Sequence, residues 1–170
     1  MKISLKVLLI NAMMALSIAA TPANPEKQMV SHSVGDDMVI FVKPRKMPTA
    51  NKTSSSKPIT YDVTLSTQTD SVSVTYTLIT KAPTLSADST GVNGLRSFAN
   101  ERIYVEPKSK EWVYRLRFKM PAETFRETFC STDSMELKTG NCTFLLPPKK
   151  QTKEAEINRM ALKIIELNKK

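Results

Sequence analysis

The sequence predicts an α+β fold: a mostly antiparallel β sandwich or half-barrel of about six to seven strands, with a short helix at 122-129 and a C-terminal amphipathic helix at 152-168. Three patterns predict it. Ile59, Tyr61, Val63 and Leu65 alternate with Thr60, Asp62, Thr64 and Ser66, and after Thr67-Gln68-Thr69-Asp70 the alternation resumes at Val72, Val74, Tyr76 and Leu78. A period of two sends one set of side chains to the core and the other to water, and two such runs joined by a turn make an antiparallel hairpin. Trp112, Tyr114, Leu116, Phe118 and Met120 alternate with Val113, Arg115, Arg117 and Lys119, a further strand with a basic outward face. Near the C-terminus Ile157, Met160, Ala161, Ile164 and Leu167 recur at intervals of three and four, the stripe of a helix lying on a sheet.

Taken in order, the chain opens with Lys2 and Lys6, an apolar run from Val7 to Ala20 and then small uncharged residues. That order predicts a secretory signal peptide at 1-23. Its apolar run is shorter than the roughly 20 residues a membrane-spanning helix needs. A flexible leader at 24-37 follows, with room for a short edge strand at its end, and then a single β-rich domain with a C-terminal helix at 38-170. Met38 to Val42 is a strand that Pro44 and Pro48 are expected to end, and Lys43 to Thr60 reads as a polar connection. Residues 81-100 read as a loop with at most one helical turn around Leu95 to Ala99. Arg102 to Val105 is a short strand, and Pro107 to Lys110 a turn. Pro121 suits the first position of a helix that carries Ala122, Phe125 and Phe129 on one face and Glu123 and Glu127 on another. Met135 and Leu137 begin a hairpin that turns at Thr139-Gly140-Asn141 and returns from Cys142 to Leu146. Thr152 is placed to cap the last helix.

The chemistry is bounded by scarcity. With 170 residues, 41% of them hydrophobic, the chain can bury one domain core. The single histidine, His32, excludes mechanisms that need two, the two cysteines exclude a four-thiolate zinc site, and four glycines leave no glycine-rich phosphate cradle. No catalytic residue, metal site or cofactor is therefore expected. In an exported protein Cys130 and Cys142 are expected to form a disulfide, worth about 3 kcal/mol in the chain-entropy account. Asp70-Ser71-Val72, Asp88-Ser89-Thr90 and Asp133-Ser134-Met135 each resemble the Asp-Ser/Thr-hydrophobic acceptor tripeptide of an O-glycosylation system of some Gram-negative envelopes, which would make Ser71, Ser89 and Ser134 acceptors.

The net charge is +9, and the cations cluster. Lys43, Arg45 and Lys46 share one segment with Lys52 and Lys57, and Arg115, Arg117 and Lys119 share one strand face, so both groups are candidate anion-binding sites. The aromatics alternate away from the basic face and cannot stack bases, which argues against nucleic acid. Anionic polysaccharide, lipid headgroups or another envelope protein are the expected partners, with no membrane-spanning segment in the mature chain. The function expected is an exported, non-catalytic binding or accessory protein, whether periplasmic, cell-surface or secreted. The alternative is a carboxylate-dependent hydrolase of an envelope or extracellular polymer, using paired acids such as Glu123 with Glu127 or Glu106 with Glu111.

Overall fold

The computed structural model describes residues 25–50, 57–81 and 87–169. The expected signal peptide and Lys52 lie outside them. A 3-10 turn, Pro25–Gln28, leads into ten strands and two helices among the described residues. These are β1 (Met29–Val34), β2 (Asp37–Met47), β3 (Ile59–Ser66), β4 (Ser71–Thr80), β5 (Ser89–Val92), β6 (Arg96–Ala99), β7 (Glu101–Lys108), β8 (Glu111–Pro121), α1 (Ala122–Thr128), β9 (Met135–Thr139), β10 (Cys142–Leu146) and α2 (Pro148–Asn168). The expected α+β class is the one observed. One sheet has the order β1-β2-β3-β4-β8-β7 and the other β10-β9-β5-β6, and every pairing is antiparallel.

The strands beyond the expected number come from two places. Part of the segment read as a leader is β1, paired with β2 along its length. The segment 87–99, expected as loop and helical turn, is instead the β5–β6 hairpin. Asn93 and Gly94 both have positive φ, and the Leu95 amide donates to the Val92 carbonyl at 3.1 Å. This is the primed turn that Asn-Gly favours, because it matches the twist of paired strands. Nor does Pro44 end β2. The ladder to β3 shifts register between Val42 and Arg45, so Pro44 sits at a bulge, where its missing N–H costs no ladder bond. The strand then continues to Met47, which is buried.

One core lies between the large sheet, the small sheet and the helices. Tyr76 of β4 carries its hydroxyl to Thr90 and Thr139 of the small sheet, at 2.7 and 3.1 Å, and Asn100 donates to the same hydroxyl at 3.1 Å. Asn100 stands where the chain passes from β6 to β7. This buried knot therefore ties the two sheets together and fixes the start of β7. Phe98 and Phe118 stack across the same gap at 5.8 Å.

Helix α2 buries part of the expected stripe, Ile157 and Ala161 with Ile164 packed beside them, but its inward face is rotated away from Leu167. It begins at Pro148, the first-turn position where proline is at no disadvantage, so Thr152 is not its cap and instead bonds the Pro148 carbonyl. Gln151, Ala155, Ile157, Asn158, Ala161, Leu162 and Ile165 are buried, whereas Leu167 is 74% exposed. Polar residues rotate the face because α1 is short and its carbonyls need donors. Gln151 Nε2 reaches the carbonyls of Thr128, Phe129 and Ser131, Asn158 Nδ2 donates to Phe129 at 2.8 Å, and Arg159 Nε donates to Cys130 at 2.8 Å. Replacing Asn158 with Leu leaves a buried carbonyl and the Arg45 guanidinium short of partners, so chemical denaturation should show a loss of about 3 kcal/mol. Leu167→Ala should shift the same curve by less than about 0.5 kcal/mol.

Candidate functional site at the edge and outer face of the large sheet

The outer face of the large sheet carries the row Arg115, Arg117 and Lys119, as the alternation on β8 requires. Two of these cations are already engaged. Arg115 forms an ion pair with Asp62 of β3 and donates to Thr77 at 2.8 Å. The Asp62 side chain is only 3% exposed. Burial pushes its carboxyl above the usual range, against the opposing pull of Arg115. Arg117 grips Glu101 of β7 with two bonds, Nε to Oε2 at 3.1 Å and Nη2 to Oε1 at 2.9 Å, and these hold the Glu101 carboxyl below its ordinary value. Lys119 is exposed.

The other candidate cations are separated from this row. Lys43 and Lys46 are exposed on β2, two strands removed from β8 across β3 and β4, which is about 14 Å of sheet. Arg45 is a core residue instead of a surface ligand. The bulge at Pro44 brings it opposite Tyr61 on the inner face, where its guanidinium lies 5.0 Å from the ring centroid, pairs with Glu154 and donates to Asn158 at 2.9 Å. Tyr61, buried beside it, has its hydroxyl pKa raised by burial.

The expected disulfide is not formed, because no bond-distance contact joins the cysteines and both are buried free thiols. They are anchored in different neighbourhoods. Cys130 follows α1, with its carbonyl held by Arg159, while Cys142 opens β10 opposite Thr139, part of the knot around Tyr76. Burial pushes the Cys130 thiol up to about 11, against the influence of Arg159 and Arg126.

Ser71 is half-buried at the start of β4, and Ser89 and Ser134 are exposed. Ser89 borders an open groove of about 510 Å³ lined by Asp88, Gly91, Ser97, Lys138 and Gly140. The paired acids do not converge on a cavity. Glu123 and Glu127 are exposed on α1, and Glu111 is bound to Lys57 at 2.7 Å. Asp62 and the carboxylate beside Tyr61, Glu154, serve opposite faces of β3, since adjacent strand residues point oppositely. Among the described residues no three His, Cys, Asp or Glu side chains gather as metal ligands, and no helix is long and apolar enough to cross a membrane.

The most exposed feature is β7. Among the described residues it is the last strand of the large sheet, bonded to β8 on one side and to no strand on the other. All eight of its residues are exposed, including the contiguous Ile103, Tyr104 and Val105 at 44%, 44% and 39%. Its ladder to β8 shifts between Arg102 and Tyr104, so Ile103 is the extra residue of a bulge. Glu101, Tyr104, Glu106 and Lys108 share the outer face with their β8 partners Arg117, Arg115, Val113 and Glu111. Arg102, Val105 and Pro107 share the inner face with Leu116, Tyr114 and Trp112. The strand is held at its start by the Asn100 knot, by Arg117 on Glu101 and by Arg102 on Asp88 at 3.2 Å. At its end a turn places Ser109 in the left-handed region, φ 61°. Long, apolar, unpaired edges are normally avoided, because they invite another strand. The sequence marks this strand but not its exposure. The legible signal was three adjacent apolar residues bracketed by charges, a pattern with no single buried face.

Comparison of the chain with protein-family models, with curated proteins and with solved structures gives no match.

Two measurements probe this region and its surroundings. Arg115→Ser strands the buried Asp62 carboxylate and should lower stability by about 2 kcal/mol, while Lys119→Ser should change it by less than about 0.5 kcal/mol. A maleimide at neutral pH should leave both thiols of the folded protein unlabelled and should label both after unfolding without reductant. Mass spectrometry showing an unlabelled, cross-linked pair after unfolding would instead establish the disulfide.

Proposed function

We propose that this is an exported, non-catalytic binding or accessory protein whose recognition element is the β7 edge, which takes up an extended segment of a polypeptide by strand addition. The observation that carries the reading is the exposure of β7 along its whole length, with Ile103, Tyr104 and Val105 side by side on an unpaired edge. Unpaired main-chain groups supply affinity for an added strand, and the side chains beside them supply selectivity. Export is supported by the N-terminal order of Lys2 and Lys6, an apolar run and small residues. A polypeptide partner is better supported than an anionic polymer. Arg115 and Arg117 are held by Asp62 and Glu101, Arg45 is buried, and the remaining candidates Lys43, Lys46 and Lys119 are spread across the sheet.

The test is site-specific photo-crosslinking in the producing cells. A photoreactive residue at Tyr104 should yield an adduct with a polypeptide, and the paired substitutions Ile103→Lys and Val105→Lys should abolish it. The same probe at Lys163, exposed on α2, should yield none. An adduct pattern indifferent to position, or no polypeptide adduct from Tyr104, would overturn strand addition at β7.

A further inference from the structure

We propose that the strand added to β7 is the β7 of a second copy of this chain, the two lying antiparallel about a two-fold axis so that two six-stranded sheets become one. The inference rests on the reading of β7 as a strand-adding edge and names its occupant. Its basis is that β7 is self-complementary in one register, and the bulge makes it so.

Glu101 opens the strand and Lys108 closes it. Antiparallel pairing with an identical strand sets each Glu101 against the other copy's Lys108, giving one opposite-charge contact at each end. That works only if both side chains lie on the same face, because a two-fold axis perpendicular to the sheet keeps outer face with outer face. In a regular strand the first and eighth residues point to opposite faces. The extra residue at Ile103 changes this, and the β8 partners place Glu101 and Lys108 together on the outer face. With the bulge accommodated in each copy, Arg102 meets Pro107, the Ile103–Tyr104 pair meets Glu106, and Val105 meets its own counterpart. Every pairing then joins residues of like face.

On the inner face the seam is apolar at its centre, with Arg102 at each end. Val105 and Pro107 lie on the inner face beside Tyr114 and Trp112, so pairing two copies extends the sheet's core side across the axis. The two Glu and two cationic side chains of each β7 balance, so the strands approach without net repulsion. The opposite edge, β1, carries no charged residue to meet Glu101 or Lys108. Adding β7 to β1 would also be head-to-tail and would propagate without closing. The isologous pair is the arrangement that both charge and closure favour. A single strand pair is a small contact, so the dimer is expected to be weak, associating over about 10 μM to about 1 mM.

Sedimentation velocity on the protein, purified as its producing cells accumulate it, should show monomer passing to dimer over that range. Trp112 is the only tryptophan and half-buried beside Pro107, so its emission should move to shorter wavelength along the same concentration curve. Val105→Lys should abolish the dimer. Lys108→Glu should weaken it about tenfold by opposing like charges, whereas Lys108→Arg should leave it unchanged. Lys46→Glu, on the outer face of β2, controls for net charge and should also leave it unchanged. Circular dichroism melting of each variant verifies that it folds. A protein monomeric at about 1 mM, or a dimer indifferent to Val105→Lys and Lys108→Glu, would overturn the self-pairing. If the protein stays monomeric while Tyr104 crosslinks to a different polypeptide, the second-copy occupant fails and strand addition stands. If neither dimer nor crosslink forms, both fail together.

Discussion

Arg45 reaches the interior because Pro44 cannot donate to the β2–β3 ladder. The chain absorbs the proline as a bulge, and the extra residue turns the next side chain inward, onto Tyr61. A guanidinium buried there is costly unless it is paired and hydrogen-bonded. Its partners all come from α2, with Glu154 supplying the charge and Asn158 the acceptor. Asn158 in turn donates to the Phe129 carbonyl at the end of α1. One bulge thus sets the rotation of the long helix, and the long helix supplies donors that the short helix lacks. The packing of Ile157, Leu162 and Ile165 follows from that rotation.

The same device recurs on the other side of the large sheet. At β7 a bulge again reassigns faces, this time on an unpaired edge, and the result is an exposed strand whose two ends carry opposite charges on one face. Between the two bulges the outer surface is electrostatically quiet. Asp62 and Glu101 answer Arg115 and Arg117, and threonines fill the intervening positions. A high positive charge in the whole chain therefore does not make the outer face of β3, β4 and β8 uniformly basic. The exposed cations of β2 and of the α2 surface carry that excess in solvent.

The elements that sequence patterning located are those whose alternation is decided locally. β3, β4 and β8 each carry a long run of alternating residues, and the β9–β10 hairpin has its turn glycine, Gly140, with positive φ. Where tertiary demands override pattern, the sequence alone misleads. Pro44 looked like a strand end because a bulge depends on the neighbouring strand. Leu167 looked like core because apolar spacing does not reveal that Gln151 and Asn158 are wanted inside as donors. Asn93-Gly94 was a legible turn signal, but the flanking Ser89–Val92 and Arg96–Ala99 segments are too short and polar to announce strands. Of the candidate site, the basic row was visible on β8. Its neutralisation was not, because Asp62 and Glu101 are remote in sequence.

The order in which the large sheet is threaded has a kinetic consequence. β4 lies against β8 from Ser71↔Pro121 to Thr80↔Trp112, yet the chain between them leaves to build β5 and β6 before returning as β7. Closing that ladder means ordering a loop of roughly thirty residues before any of its bonds form, an entropic toll that rises slowly with loop length. The excursion cannot stabilise itself, since β5 finds its second neighbour only in β9, beyond the ladder and α1. The small sheet therefore waits for β9, whereas every strand of the large sheet precedes α1 in the chain. Folding should therefore be dominated by contacts distant in sequence, on the millisecond-to-second scale of such β topologies.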